Sequence, residues 1–200
     1  MNSNRTDERR EYFRVEDDIY LQWQTISEDE YARAEETLKN LTDSDFSLSA
    51  DFATLNNKFH PILNNIKQAH PDIAHYLELL NTKLDSLGHH LLQQQDVFDE
   101  QKLTHVNISA SGLMYAAEEA IPVDSLLKLE YVLFPEKVGI ITYGKVVNTT
   151  LLESGKHCVH ISFEHMRTED SELMIKHNLN TQMNMIREHK DSKQNTPDSE

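Results

Sequence analysis

The sequence predicts an α+β chain: a small antiparallel β-barrel or sandwich, interrupted after its first strand by a helical block and closed by a C-terminal helix. Three observations carry this reading. "DIYLQWQTI", residues 18–26, alternates with a period of two near the N-terminus and has no neighbouring strand to pair with. Residues from about 28 to 101 then carry apolar positions at helical spacing. After Lys102 the chain returns to short β-rich runs separated by turn residues, which suit a small barrel or sandwich. The first strand can only pair with those later ones, so the helical block is an insertion.

The elements follow in order. In the first strand Ile19, Leu21 and Trp23 fall on one face and Tyr20, Gln22 and Gln24 on the other. "SEDE" places Ser27 as an N-cap with Glu30 three residues on, a capping box, and Tyr31, Ala34, Leu38 and Leu41 continue at helical spacing. "TDSDFSLSAD" reads as a polar connection. Phe52, Leu55, Phe59, Ile62 and Ile66 mark a second helix, which Pro61 should kink or split. Pro71 suits the first turn of a third helix. There Ile73, Leu77, Leu80, Leu84, Leu87 and Leu91 form an a/d heptad seam, weakened near its end by Gly88 at a cost of about 1 kcal/mol relative to alanine. The seam fits an internal helical hairpin or self-association between chains.

"LTHVNIS", "GLMYAA", "LLKLEYVLF", "GIITYGKVVNTTLL" and "KHCVHISF" are the strand candidates, separated by Ser111-Gly112, "IPVDS", "PEK" and "ESGK". "TEDSELMIKHNLNTQMNMIREHK" reads as the closing helix, with acids in its first turn, bases in its last and a stripe of Ile175, Leu179, Met183 and Ile186. "DSKQNTPDSE" is a polar tail expected to be disordered. The chain thus divides into 1–26 (arginine arm and first strand), 27–102 (helical insertion), 103–190 (remaining strands and closing helix) and 191–200 (tail).

Composition narrows the function classes. A net charge of -15 over 200 residues repels a polyphosphate, so neither DNA nor RNA is an expected partner. No apolar run approaches the roughly 20 residues of a membrane span, and "MNSNRTDERR" lacks the apolar segment of a secretory signal. Cys158 stands alone, which precludes an internal disulfide. These features predict a cytoplasmic protein with no membrane insertion. No Ser/His/Asp or Cys/His order points to an enzyme, and "GKVVN" lacks the rest of a phosphate loop. The adjacent His89 and His90, the pair His157 and His160 three apart in a strand, and His70 and His75 five apart are poor metal-ligand spacings. Cys158 reads as a small hydrophobe facing the barrel or an adjoining surface.

Against this acidity, four of seven arginines, Arg5, Arg9, Arg10 and Arg14, lie in the first fourteen residues. Arg10 and Arg14 form an RxxxR pair before the first strand, and Asn107, Ser109 and Gly112 form NxSxxG in "NISASG" at the end of the second. Alone, the first is ordinarily a solvated surface pair and the second a turn. Together they have a chemistry. Arginine offers a planar fork for phosphate or for guanine O6/N7 and can stack on a base. Asn107 presents an acceptor and donors, Ser109 a hydroxyl, and Gly112 permits a positive φ or close backbone approach. A ligand with guanines and phosphates would use all of them.

With "RREYFR", "VNISASGLMY", "TYGKVVN" and "HCVHISFEHM" in this order, residues 5–26 and about 103–190 resemble the PilZ domain family. The resemblance implies a six-stranded antiparallel barrel with a C-terminal helix, here carrying an inserted helical hairpin or bundle. It also implies a non-enzymatic receptor that binds the bacterial second messenger cyclic di-GMP, through Arg9, Arg10, Arg14, Asn107, Ser109 and Gly112, and calls for no cofactor beyond that ligand. Such a receptor would relay its signal to a protein partner in motility, adhesion or biofilm processes, with homo-oligomerisation through its helices. The rival expectation is an oligomeric scaffold that acts through those helices without nucleotide.

Overall fold

The computed structural model describes residues 13–41, 46–94 and 102–194. Six strands make the framework: β1 (Val15–Thr25), β2 (Leu103–Ser109), β3 (Gly112–Ala117), β4 (Leu126–Leu133), β5 (Val138–Leu151) and β6 (His157–His165). They close into an antiparallel barrel in the order β1-β2-β3-β6-β5-β4. Closure leaves no open sheet edge to solvent. β1 pairs with β2 over its first half and with β4 over its second, so it is the strand that seals the barrel. Between β1 and β2 run α1 (Glu28–Ala32), α2 (Ala34–Lys39), α3 (Leu48–Ala69) and α4 (Pro71–Gln94), and α5 (Thr168–Gln194) follows β6.

Alternation builds the interior. Val106 and Ile108, Leu113 and Tyr115, and Val159 and Ile161 point inward with Ile19, Leu127, Leu129 and Tyr131. Leu173 and Met174 of α5 join this core, as does Ala50 of α3. In β1 the expected alternation fails at two points: Tyr20 is buried like Ile19, and Trp23, expected on the face of Ile19, is exposed. Tyr20 faces outward, where it packs with Ala34, Leu38 and Phe46 against Val132, Ile141 and Tyr143. The outer wall here is covered by the insertion, so both faces of the strand are apolar.

The capping box at Ser27 forms, with Glu30 N–H donating to Ser27 Oγ at 3.2 Å. The helix after it is divided at Arg33, whose φ and ψ of -96° and 4° separate α1 from α2. α3 begins at Leu48, inside the stretch read as a connection, because Ser47 and Ser49 are buried against the barrel; Ser49 Oγ accepts the Gly139 N–H at 2.9 Å. Pro61 does not split α3, which is continuous to Ala69. The imide removes one ladder bond, and α4 alongside supports both halves. α5 extends into the segment read as a tail, through Gln194.

α3 and α4 form the expected hairpin, but not by burying the heptad seam. They meet at small residues: Ala74 is fully buried, and a β-carbon at Gly88 would lie 3.2 Å from the Phe52 ring. Gly88, which lowers helix propensity, is therefore a point of close approach. Ile73, Leu80, Leu84 and Leu87 remain exposed, Ile73 at 54% and Leu87 at 51%. On α3, Leu55, Phe59 and Ile62 are exposed as well.

One ion-pair cluster holds the insertion to the barrel. Arg167, just before α5, donates to Asp51 of α3 at 2.8 Å and to both oxygens of Asp170 at 2.8 and 2.9 Å. Asp170 is only 1% exposed. Burial pushes its carboxyl up from the usual range, and Arg167 pulls it back only in part.

Candidate ligand-binding site

Antiparallel pairing of β1 with β2 places Val15 opposite Ile108 and Glu16 opposite Asn107. That register brings the end of the arginine arm to the asparagine of the second motif. Arg14 Nη1 donates to Asn107 Oδ1 at 3.4 Å, across 93 residues of sequence. The Asn107 amide donates in turn to Glu16 Oε1 at 2.6 Å. Arg14, Asn107 and Glu16 thus form a partly exposed cluster of guanidinium, amide and carboxylate on the outer wall. The cluster can offer donors to a phosphate or a base acceptor and an acceptor to a base N–H. Arg9 and Arg10 lie outside the described residues.

Ser109 and Gly112 lie at the two ends of the β2–β3 turn. Ser109 is fully buried. Its hydroxyl donates to the Gly112 carbonyl at 3.3 Å and accepts the Ser111 N–H at 3.3 Å. It therefore tightens the β2–β3 turn. Gly112 does not have a positive φ. A β-carbon there would lie 2.3 Å from the Ile161 carbonyl oxygen, so the glycine lets β3 approach β6.

Acidic side chains follow Arg14 along the start of β1, and histidines hold them. His105 lies 2.8 Å from Asp18 and 3.4 Å from Glu16; the hydrogen bond to Asp18 raises its pKa. His177 of α5 is more confined. It is 6% exposed, with Nε2 2.7 Å from Asp17 and Nδ1 3.5 Å from Glu136. Burial opposes its charge, yet the hydrogen bonds to both carboxylates prevail and raise its pKa to about 9. The next residue, Asn178, donates to the Phe13 carbonyl at 3.5 Å. The base of the arm is therefore fastened to α5.

Sequence reading missed Glu16, Arg167 and His177. No local pattern marks them, since Asp17 and His177 are 160 residues apart. Cys158 points to the outer wall of β6, its Sγ 3.5 Å from His160 Nε2. Among the described residues no group of three His, Cys, Asp or Glu side chains stands together as a metal site, and no helix is long and apolar enough to cross a membrane.

Residues 91–179 match the family model of the PilZ domain. This segment, which carries β2 to β6 and the first part of α5, is a PilZ domain. Among solved structures, the chain is similar to a pathogenic protein from Xanthomonas campestris, described as a tetrameric PilZ domain self-assembled via a helical bundle. The two share 12% identity over 88% of this chain and 89% of that one, with a TM-score of 0.55. At that identity the similarity is one of fold, and its coverage exceeds the PilZ barrel and takes in part of the insertion. A Bacillus subtilis inhibitor of motility (MotI/DgrA) matches at 21% identity over 42% of this chain and 43% of its own, with a TM-score of 0.38. No curated protein matches the chain.

Proposed function

We propose that this protein is a cytoplasmic, non-enzymatic receptor for cyclic di-GMP that passes the signal on through its helices. The observation that supports this is the meeting of Arg14 with Asn107 at 3.4 Å, which joins the two halves of the PilZ ligand motif despite the insertion between them. Arg9 and Arg10 would complete the guanidinium set around a dianion. Ser109 and Gly112 act on the ligand indirectly, by shaping the β2–β3 turn that carries Asn107.

The test is a calorimetric titration of the full chain with cyclic di-GMP. A charge-assisted hydrogen bond contributes about 1.5–3 kcal/mol, so Arg14→Ala should weaken binding by roughly 10- to 150-fold. Asn107→Ala should weaken it in the same direction. An Arg14→Ala protein that folds and binds as tightly as the parent would remove the assignment.

A second reading, an oligomeric scaffold that works without nucleotide, draws support from the exposed stripe Ile73, Leu80, Leu84 and Leu87. The similarity to a PilZ protein described as a helical-bundle tetramer agrees with self-association. The two readings differ in the titration alone, because a receptor of this shape would also associate through α4.

A further inference from the structure

The strand register extends the site beyond the motif residues. Asn107 on β2 pairs with Met114 on β3, Met114 pairs with His160 on β6, and His160 pairs with Asn148 on β5. Val106, Ile108, Leu113, Tyr115, Val159 and Ile161 face the core. The intervening Asn107, Met114 and His160 therefore share the outer face. With neighbouring strands about 4.8 Å apart, the row from Asn107 to Asn148 runs roughly 14 Å across the wall.

The rungs on either side of its middle are small. Gly112 pairs with Ser162 on one side and Ala116 with Cys158 on the other. A thioether and an imidazole, both half-buried, thus stand side by side on a wall that is otherwise low. The Cys158 thiol, 3.5 Å from His160 Nε2, helps to set the ring. The result is a flat, polarisable shelf beginning one strand away from the Arg14–Asn107 contact.

We propose that Met114 and His160 are the shelf on which one purine base of the bound nucleotide rests, with Asn107 and Asn148 at its two ends to meet the base edge. This rests on the cyclic di-GMP reading and adds to it the residues that hold the base. Thioether and imidazole faces suit a flat π-system, and Asn suits an edge that carries both donors and acceptors.

The experiment labels the methionine methyl groups of the full chain with carbon-13 and adds cyclic di-GMP. There are six methionines, so each methyl resonance can be followed singly, with Met114→Ala providing the assignment. The Met114 methyl should move upfield under the ring current of a stacked base, while Met174, fully buried in the core, should hold still. His160→Ala should weaken binding about tenfold, within the range expected for one lost stacking contact. Saturable binding with an unmoved Met114 methyl, or with parent affinity in folded His160→Ala, would overturn the shelf and leave the receptor reading standing. Absence of saturable binding in the parent titration would overturn both.

Discussion

His177 sets a pH dependence whose size follows from its surroundings. Its folded pKa is raised from 6.5 to about 9, because Asp17 and Glu136 hold the imidazolium. At about 1.4 kcal/mol per pH unit between folded and unfolded titrations, the charged ring stabilises the fold by roughly 3 kcal/mol. His177 is only 6% exposed, so little of this is screened. For a histidine raised in the folded state, the contribution is complete below the unfolded value near 6.5 and is lost as pH rises through about 9. Urea unfolding of the parent and of His177→Gln, measured from pH 6 to pH 10, isolates the effect from other groups. The variant should be less stable by roughly 3 kcal/mol at the acidic end, and the gap should narrow by roughly 2–3 kcal/mol toward the alkaline end. A gap that stays constant over this range would refute the argument, since the pair would then be no more than a neutral hydrogen bond.

Two other outcomes are expected. Leu80→Asp combined with Leu84→Asp should convert an assembled parent to monomers by light scattering while the barrel stays folded, since charges would enter a desolvated interface; a parent already monomeric in the micromolar range would end the self-association reading. Arg167→Ala should destabilise the chain by about 3–5 kcal/mol in urea unfolding, because it leaves Asp170 buried and unpaired beside Asp51, and a loss below about 1 kcal/mol would count against this cluster as the clamp on the insertion.

Local pattern in the sequence marks the six strands and the cores of the helices, though not where the helices begin and end. Period-two alternation in "LTHVNIS" and "GLMYAA" predicts β2 and β3, and helical spacing from Phe52 and Ile73 predicts α3 and α4, because both signals arise from local geometry. The sequence also carries RxxxR and NxSxxG, the short patterns of specific chemistry on which the proposed ligand site rests. Other features were decided by distant residues. Tyr20 is buried on the face read as polar because α2 and Phe46 cover it, and α3 can start at buried serines because Ser47 donates to the Leu41 carbonyl and Ser49 accepts the Gly139 N–H of the barrel in place of water. The seam of α4 was readable as apolar, but only packing shows that Ala74 and Gly88 close the hairpin and leave the leucines outside. That the Ser109 hydroxyl tightens the β2–β3 turn and that Gly112 lets β3 approach Ile161 is likewise visible only in the closed barrel. Arg14 meets Asn107, and His177 meets Asp17, only once the barrel closes, since pairing across 93 and 160 residues leaves no periodic trace in the chain.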